Sequence, residues 1–260
     1  MFVPVFGKQV DTSVFKGTTL VLPSQSIGLS PFIGMDLFIL NSDMERVGFY
    51  KSEYIAAALV NDIVQLADEE SGKITMPAEF WVSKDHNLTF LMVRSGPVGG
   101  MRKFCDELVA FIDQVEFKDV AIITSTMSPV ARERESSRQI PEVFAYCNNF
   151  LYKSNTQFYK ENGIRKFGWW IQESKNKPHQ EMRELGAAGW ADRLMKSFNR
   201  MDKPAAMFTI FCPGDIDFVG GFVFFNFLKQ QFFGVEGESQ EIGKPVTELK
   251  DGEQVHELLF

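Results

Sequence analysis

The chain predicts an α/β fold, a mostly parallel sheet flanked by helices, with an extended acidic C-terminal tail. Three observations predict it. Residues 18–22 and 120–124 are short β-branched and apolar runs, the composition of strands buried on both faces. Residues 32–40 and 101–115 carry apolar positions at helical spacing, each directly after a polar, glycine-containing loop. Beyond Gly234 the periodicity stops. Residues 236–260 hold seven acidic and two basic side chains, so five of the seven net negative charges sit there. One α/β domain over residues 1–235 and a mobile tail over 236–260 is the expected division.

The opening strand ends at Pro23, and Ser24 to Pro31 supply turn residues, with Gly28 where the backbone must bend or approach something closely. Phe32, Ile33, Leu37 and Leu40 then recur at helical spacing. Strand, loop and helix make the first half of a βαβ unit, and such loops are where ligands gather in open α/β sheets. Residues 47–50 read as a short strand or a turn, and residues 54–67 as a helix or a packed loop. Residues 79–83 and 88–94 flank Lys84-Asp85-His86-Asn87, which is hairpin chemistry. A glycine-rich turn at 96–100 precedes the helix at 101–115, whose face is Phe104, Leu108, Phe111, Ile112 and Val115. After the strand at 120–124 come a polar segment, 125–139, and a mixed one ending near Tyr159. Residues 167–171 (FGWWI) are a strand or an interface patch. Gly186 and Gly189 break a helical pattern over 181–201. A strand follows at 205–212, and Asp215 is the expected N-cap of a very apolar helix at 216–233.

Composition narrows the function classes. Of 260 residues 26 are phenylalanine and 5 tyrosine, which points to a buried partner surface or to a Phe-rich core. Outside the tail the chain is close to neutral, so there is no basic footprint for nucleic acid or an anionic membrane. The longest apolar run, 218–228, is too short to span a bilayer. Without a signal-peptide pattern the expectation is a soluble, intracellular protein. Cys105, Cys147 and Cys212 lack metal or disulfide spacing, and His86, His179 and His256 read as surface residues. Ser24, Ser26, Gly28 and Ser30 form either an anion nest or a structural loop. The turn at 96–100 is neither a GxGxxG nor a Walker loop, and reads as a plain tight turn before a phosphate cradle. Asp36, Asp192, Asp215 and Asp217 are explained by capping and solvated faces more simply than by acid–base work. No nucleophile, base and orienter come together, so no catalysis, cofactor or metal is expected.

The order of Phe15, Gly17, Thr19, Leu20, Pro23, Ser26, Gly28, Met35, Asp36 and Leu37 behind an initial MFVP resembles the proteasome assembly chaperone 2 family. The match continues through Leu91, Arg94, Ser95, Phe104, Cys105, Leu108 and the Ser/Thr-rich turn at 125–128, then Gly186, Gly189, Gly214 and Asp215. The resemblance implies a nucleoside-phosphorylase-like fold and an obligate heterodimer with proteasome assembly chaperone 1, in cytoplasm and nucleus. It implies binding to 20S proteasome α-subunits and the α-ring, with off-pathway ring dimers prevented. Pro23, Ser26, Gly28 and Asp36 are the family-motif loop residues. The tail ends in Leu258, Leu259 and Phe260, and apolar residues there bury nothing locally. They resemble the C-terminal tails that proteasome-binding proteins insert between α-ring subunits, where the terminal carboxylate pairs with a lysine. Leu259 stands where the activator version has tyrosine, so the resemblance extends to docking and not to tyrosine-dependent gate opening. The alternative from another class is a nucleoside- or phosphate-handling α/β enzyme using the loops after Leu22, Arg94 and Thr124.

Overall fold

In the computed structural model, residues 1–56, 60–61, 74–127, 143–147, 165–166, 189–212 and 216–233 are described. Their elements run β1 (Phe2–Pro4), β2 (Thr19–Pro23), α1 (Ser30–Leu40), β3 (Glu45–Tyr50), β4 (Val60–Asn61), β5 (Ile74–Thr75), β6 (Ala78–Ser83) and β7 (Leu88–Val93). Then come α2 (Met101–Val115), β8 (Asp119–Thr126), β9 (Phe144–Cys147), β10 (Arg165–Lys166), α3 (Ala191–Arg200), β11 (Ala205–Phe211) and α4 (Phe218–Phe233). Nine strands form one sheet in the order β1-β3-β6-β7-β2-β8-β11-β9-β10, while β4 and β5 pair separately.

The centre of the sheet is parallel, from β7 through β2 and β8 to β11. The expected mostly parallel sheet is therefore corrected to a mixed one. The pairs β1–β3, β3–β6, β6–β7 and β11–β9 are antiparallel. The physical reason is connection length. A hairpin turn at Lys84–Asn87, with Asn87 at φ 49°, returns β6 into β7 directly, whereas a parallel neighbour needs a crossover helix.

Both faces of the central strands are covered, and their side chains alternate between two cores. Leu20 and Leu22, Val120 and Ile122, and Ala205 and Met207 face one core with Phe104, Leu108, Ile112, Leu194 and Phe198. Val21, Ala121, Ile123, Ala206, Phe208 and Ile210 face the other, with Phe32, Met35, Phe38, Phe224 and Leu228. Thus α2 and α3 lie on one side of the sheet, and α1 and α4 on the other. Buried Glu79 on β6 is held by Arg46 Nη1 at 2.8 Å and the Met76 N–H at 3.0 Å, so its charge is paired.

Helix boundaries follow local chemistry with two corrections. Helix α1 begins at Ser30, not Phe32, because Pro31 fits a first turn that needs no N–H. Helix α4 begins at Phe218, and its cap is Asp217: Oδ1 accepts the Gly220 N–H at 2.8 Å. The expected cap, Asp215, lies outside the described residues. Strand β8 runs on to Thr126, beyond the expected end at Thr124. The expectations for residues 125–139 otherwise, 167–171 and 236–260 fall outside the described residues.

Candidate protein-binding face

The loop after β2 leaves the carboxyl end of a central strand, where a ligand would be looked for. Its polar groups are instead committed to its own chain. Pro23 is the last residue in register with β8, opposite Ile123. Ser26 Oγ accepts the Ser125 N–H at 3.0 Å and lies 2.8 Å from Ser125 Oγ. The Ser125 hydroxyl donates to the Ile27 carbonyl, so the Ser26 hydroxyl donates to Ser125. The Gly28 carbonyl accepts the Asp217 N–H at 2.8 Å, and the Ser30 hydroxyl donates to Asp217 Oδ2 at 3.2 Å. Asp36 receives both terminal nitrogens of Arg94, Nη1 at 2.8 Å. The motif residues tie the loop and helix α1 to three elements: Pro23 and Ser26 to β8, Gly28 to the cap of α4, and Asp36 to the residue after β7.

Ser24, Gln25 and Asp217 complete this frame. The Trp190 and Ala191 N–H groups donate to Ser24 Oγ at 3.1 and 3.2 Å, so Ser24 caps α3 from a distant part of the chain. Those N–H groups are then spent, and the Ser24 hydroxyl oxygen is occupied as their acceptor. Gly189, at φ +61°, makes the approach possible, since a Cβ there would run into the Gln25 carbonyl oxygen. Gln25 Nε2 donates to the Arg94 carbonyl at 3.1 Å. At the 96–100 turn the Val98 N–H is taken by the Tyr54 carbonyl at 2.7 Å. Cys105 is fully buried in the α2 core, and burial pushes its thiol up to about 12, far from a nucleophile's range. Among the described residues no group of His, Cys, Asp or Glu is arranged to hold a metal ion.

What α1 and the start of α4 leave at the surface is largely apolar. Helix α1 buries Phe32, Met35, Phe38 and Ile39, whereas Ile33 and Leu37, expected on the core face, are only half-buried and Leu40 is exposed. The sequence pattern misassigned that face because α1 is apolar all round. Helix α4 behaves the same way. Gly220, Gly221, Phe224, Phe225, Phe227 and Leu228 are buried, while Phe218 and Val219 are exposed and Phe222 and Val223 half-buried. Ile216 (56% exposed) and Leu29 (47%) adjoin this stripe, because Asp217 between Ile216 and Phe218 bonds back to Gly28. Leu29 is held at φ 56°, a left-handed conformation that leucine adopts rarely. The stripe carries few charges: Asp36 is paired with Arg94, and Lys229 Nζ lies 5.3 Å from the Phe225 ring centre.

The sequence profile of the PAC2 family matches residues 20–221, from β2 into the second turn of α4. The chain belongs to the PAC2 family. Full-length relatives bear the name proteasome assembly chaperone 2. The Nematostella vectensis protein is 25% identical over 241 residues, covering 87% of this chain and 94% of its own. The Danio rerio protein is 22% identical, covering 95% and 96%. In fold this PAC2 chain is similar to Pyrococcus furiosus PbaA, an archaeal homolog of proteasome-assembly chaperone, with a TM-score of 0.63 and 13% identity over 87% of this chain and 86% of that one. It is also similar to PbaB of the same organism, an archaeal proteasome activator, at a TM-score of 0.58, with 12% identity over 92% and 90%.

Within this PAC2 chain the motif residues Pro23, Ser26, Gly28 and Asp36 come together as a structural frame. Leu258, Leu259 and Phe260 lie outside the described residues. Sequence reading missed Leu29, Ile33, Leu40, Ile216 and Val219 as surface residues. Their signal was present: α1 and the first half of α4, from Phe218 to Phe225, have no polar face, and α4 turns polar only from Asn226 with Lys229 and Gln230.

Proposed function

We propose that this chain is a non-enzymatic chaperone of 20S proteasome assembly, acting as a heterodimer with proteasome assembly chaperone 1. The pair binds α-subunits, promotes α-ring formation and prevents off-pathway ring dimers, in cytoplasm and nucleus. Membership of the PAC2 family supports this reading, and one structural observation carries it: an exposed, charge-poor apolar face on α1 and α4 beside strand-end loops already bonded to themselves. A protein with unspent apolar surface and spent polar groups is built to hold another protein. In this reading the fold is nucleoside-phosphorylase-like, residues 1–235 are the chaperone domain, and the 236–260 tail docks Leu258, Leu259 and Phe260 on the α-ring. Two contacts on one tether reinforce each other through effective concentration.

The enzyme alternative draws on one fact, the position of the motif loop at the carboxyl ends of parallel strands. Its hydroxyls at Ser24, Ser26, Ser30 and Ser125 are engaged internally, which disfavours a phosphate site there. Affinity capture of the full chain from its native cells, with mass spectrometry of what co-purifies, tests the proposal. The expected result is a paralogous chaperone near one-to-one, with α-subunits and few mature catalytic subunits. Recovery of neither would overturn it and direct attention to nucleoside and phosphate ligands.

A further inference from the structure

We infer that Leu258, Leu259 and Phe260 fold back in cis onto the bare stripe of α1 and the start of α4, against Leu29, Ile33, Ile216, Val219 and Phe222. The contact is a weak, intramolecular cover for apolar side chains that the α/β domain leaves at solvent.

The size of the stripe sets the size of its occupant. A Cβ on Gly34 would come within 2.6 Å of Phe224 Cβ and 2.8 Å of the Gly221 carbonyl oxygen, so the helices cross backbone to backbone and their outer stripes merge. The bare part of α4 and its approach, residues 216–223, is about 12 Å long at ~1.5 Å per residue, and the α1 strip beside it is similar, each about 10 Å wide. Beyond it α4 turns polar at Asn226, Lys229 and Gln230. The apolar area is therefore on the order of 250 Å² in projection, about a third of the ~800 Å² that one side of a standard interface buries. That is the footprint of a short segment. One buried phenylalanine covers about 150–250 Å², so two leucines and a phenylalanine are enough to fill it.

The tail brings such a segment to the right place. It leaves the C-terminal end of α4, and Leu258 lies 25 residues past Phe233. The return from Phe233 to Val219 along α4 is about 21 Å, well inside the reach of about 80 Å that so many residues have. A tether that spans its two sites holds them at an effective concentration of about mM, which sustains a contact too small to hold a free partner. Charge fits as well. Residues 236–260 hold seven acidic and two basic side chains, the one charge of α4 is Lys229, and the one charge of α1, Asp36, is bonded to Arg94. An acidic segment returning along α4 meets a cation and no free carboxylate on either helix. Elsewhere among the described residues the exposed apolar side chains are scattered, at Met1, Phe6, Val98 beside Met101, and Met201. The inference goes beyond the chaperone reading and links its two contacts. The same three residues cannot sit on the α-ring and on their own helices at once, so ring docking bares the stripe.

The test uses the full chain carrying Phe260→p-benzoylphenylalanine, irradiated in dilute solution, with crosslinks mapped by mass spectrometry. The expected crosslinks fall within one chain, on residues 29–40 and 216–223, with a yield that dilution does not change. Val219→Glu and, in the tail, Leu259→Glu should each lower that yield at least ~10-fold with unchanged circular dichroism, since either places an unpaired carboxylate in the contact. Val98→Glu should leave it as it is. Leu259→Glu does not touch the α/β domain, so its effect cannot come from misfolding. Crosslinks that are absent, spread over other surfaces, or indifferent to both variants overturn the inference. Crosslinks between chains, lost on dilution, overturn it in favour of a second copy's tail. No proteasome component takes part, so failure here leaves the chaperone reading standing, and failed affinity capture leaves this contact standing.

Discussion

The two sides of the sheet are built from helices of opposite design. On one side, α2 and α3 pack Phe104, Leu108, Ile112, Leu194 and Phe198 inward, with the Phe104 and Trp190 rings edge-to-face at 5.9 Å. Their outer faces carry charges in register, such as Arg102 with Asp106 and Asp192 with Lys196. That side is finished. On the other side, α1 and α4 bury an equally apolar core and then repeat apolar residues outward, at Ile33, Leu37, Leu40, Val219, Phe222 and Val223, before α4 turns polar at Asn226, Lys229 and Gln230. A helix with a polar face ends its layer at solvent, whereas one without a polar face leaves the layer incomplete. The first side closes its layer with charge, and the second leaves apolar side chains at solvent.

Breaking the finished side should cost most. Phe104→Ala removes a fully buried ring and its contact with Trp190, an expected loss of about 3–5 kcal/mol in a urea or thermal unfolding experiment. A loss under ~1 kcal/mol would mean that α2 is not the clamp it looks like. Ser24→Ala probes the tie between the strand-end loop and α3. Two buried N–H groups lose their acceptor, so a loss of about 1–3 kcal/mol is expected, with faster amide exchange at Trp190 and Ala191. The unfinished side should respond least. Val219→Asp, on an exposed turn of α4, should change the stability of the isolated chain by no more than about 0.5 kcal/mol. If it destabilised the chain as Phe104→Ala does, the contrast between the sides would collapse.

Much of the frame was legible because local chemistry dictated it. Gly100 and the Phe104–Leu108–Ile112 spacing delimit α2 at the residues observed, and the Lys84–Asn87 turn delivers β6 into β7. Other features were not legible because distant residues set them. Strand β1 holds by pairing with β3, and β9 by pairing with β11 and β10, all distant in sequence. The cap of α4 falls on Asp217 and not Asp215, since the Gly28 carbonyl and the Ser30 hydroxyl meet it there. The motif loop was read from its residue types, but that its serines serve as ties to β8, α3 and α4 depends on partners about 100 to 190 residues away.

By itself the sequence determined the α/β class, the central strands, the helix α2 and the family, because apolar period, turn residues and motif order are local properties of the chain. Tertiary structure alone decided that the sheet is mixed, that the motif serines are spent, and which side of α1 and α4 stays bare. In α1 and in the first half of α4, apolar all round, periodicity marks no inner face. The choice fell to the close approach of Gly34 and Gly221, which turned one stripe to the sheet and left the other to solvent.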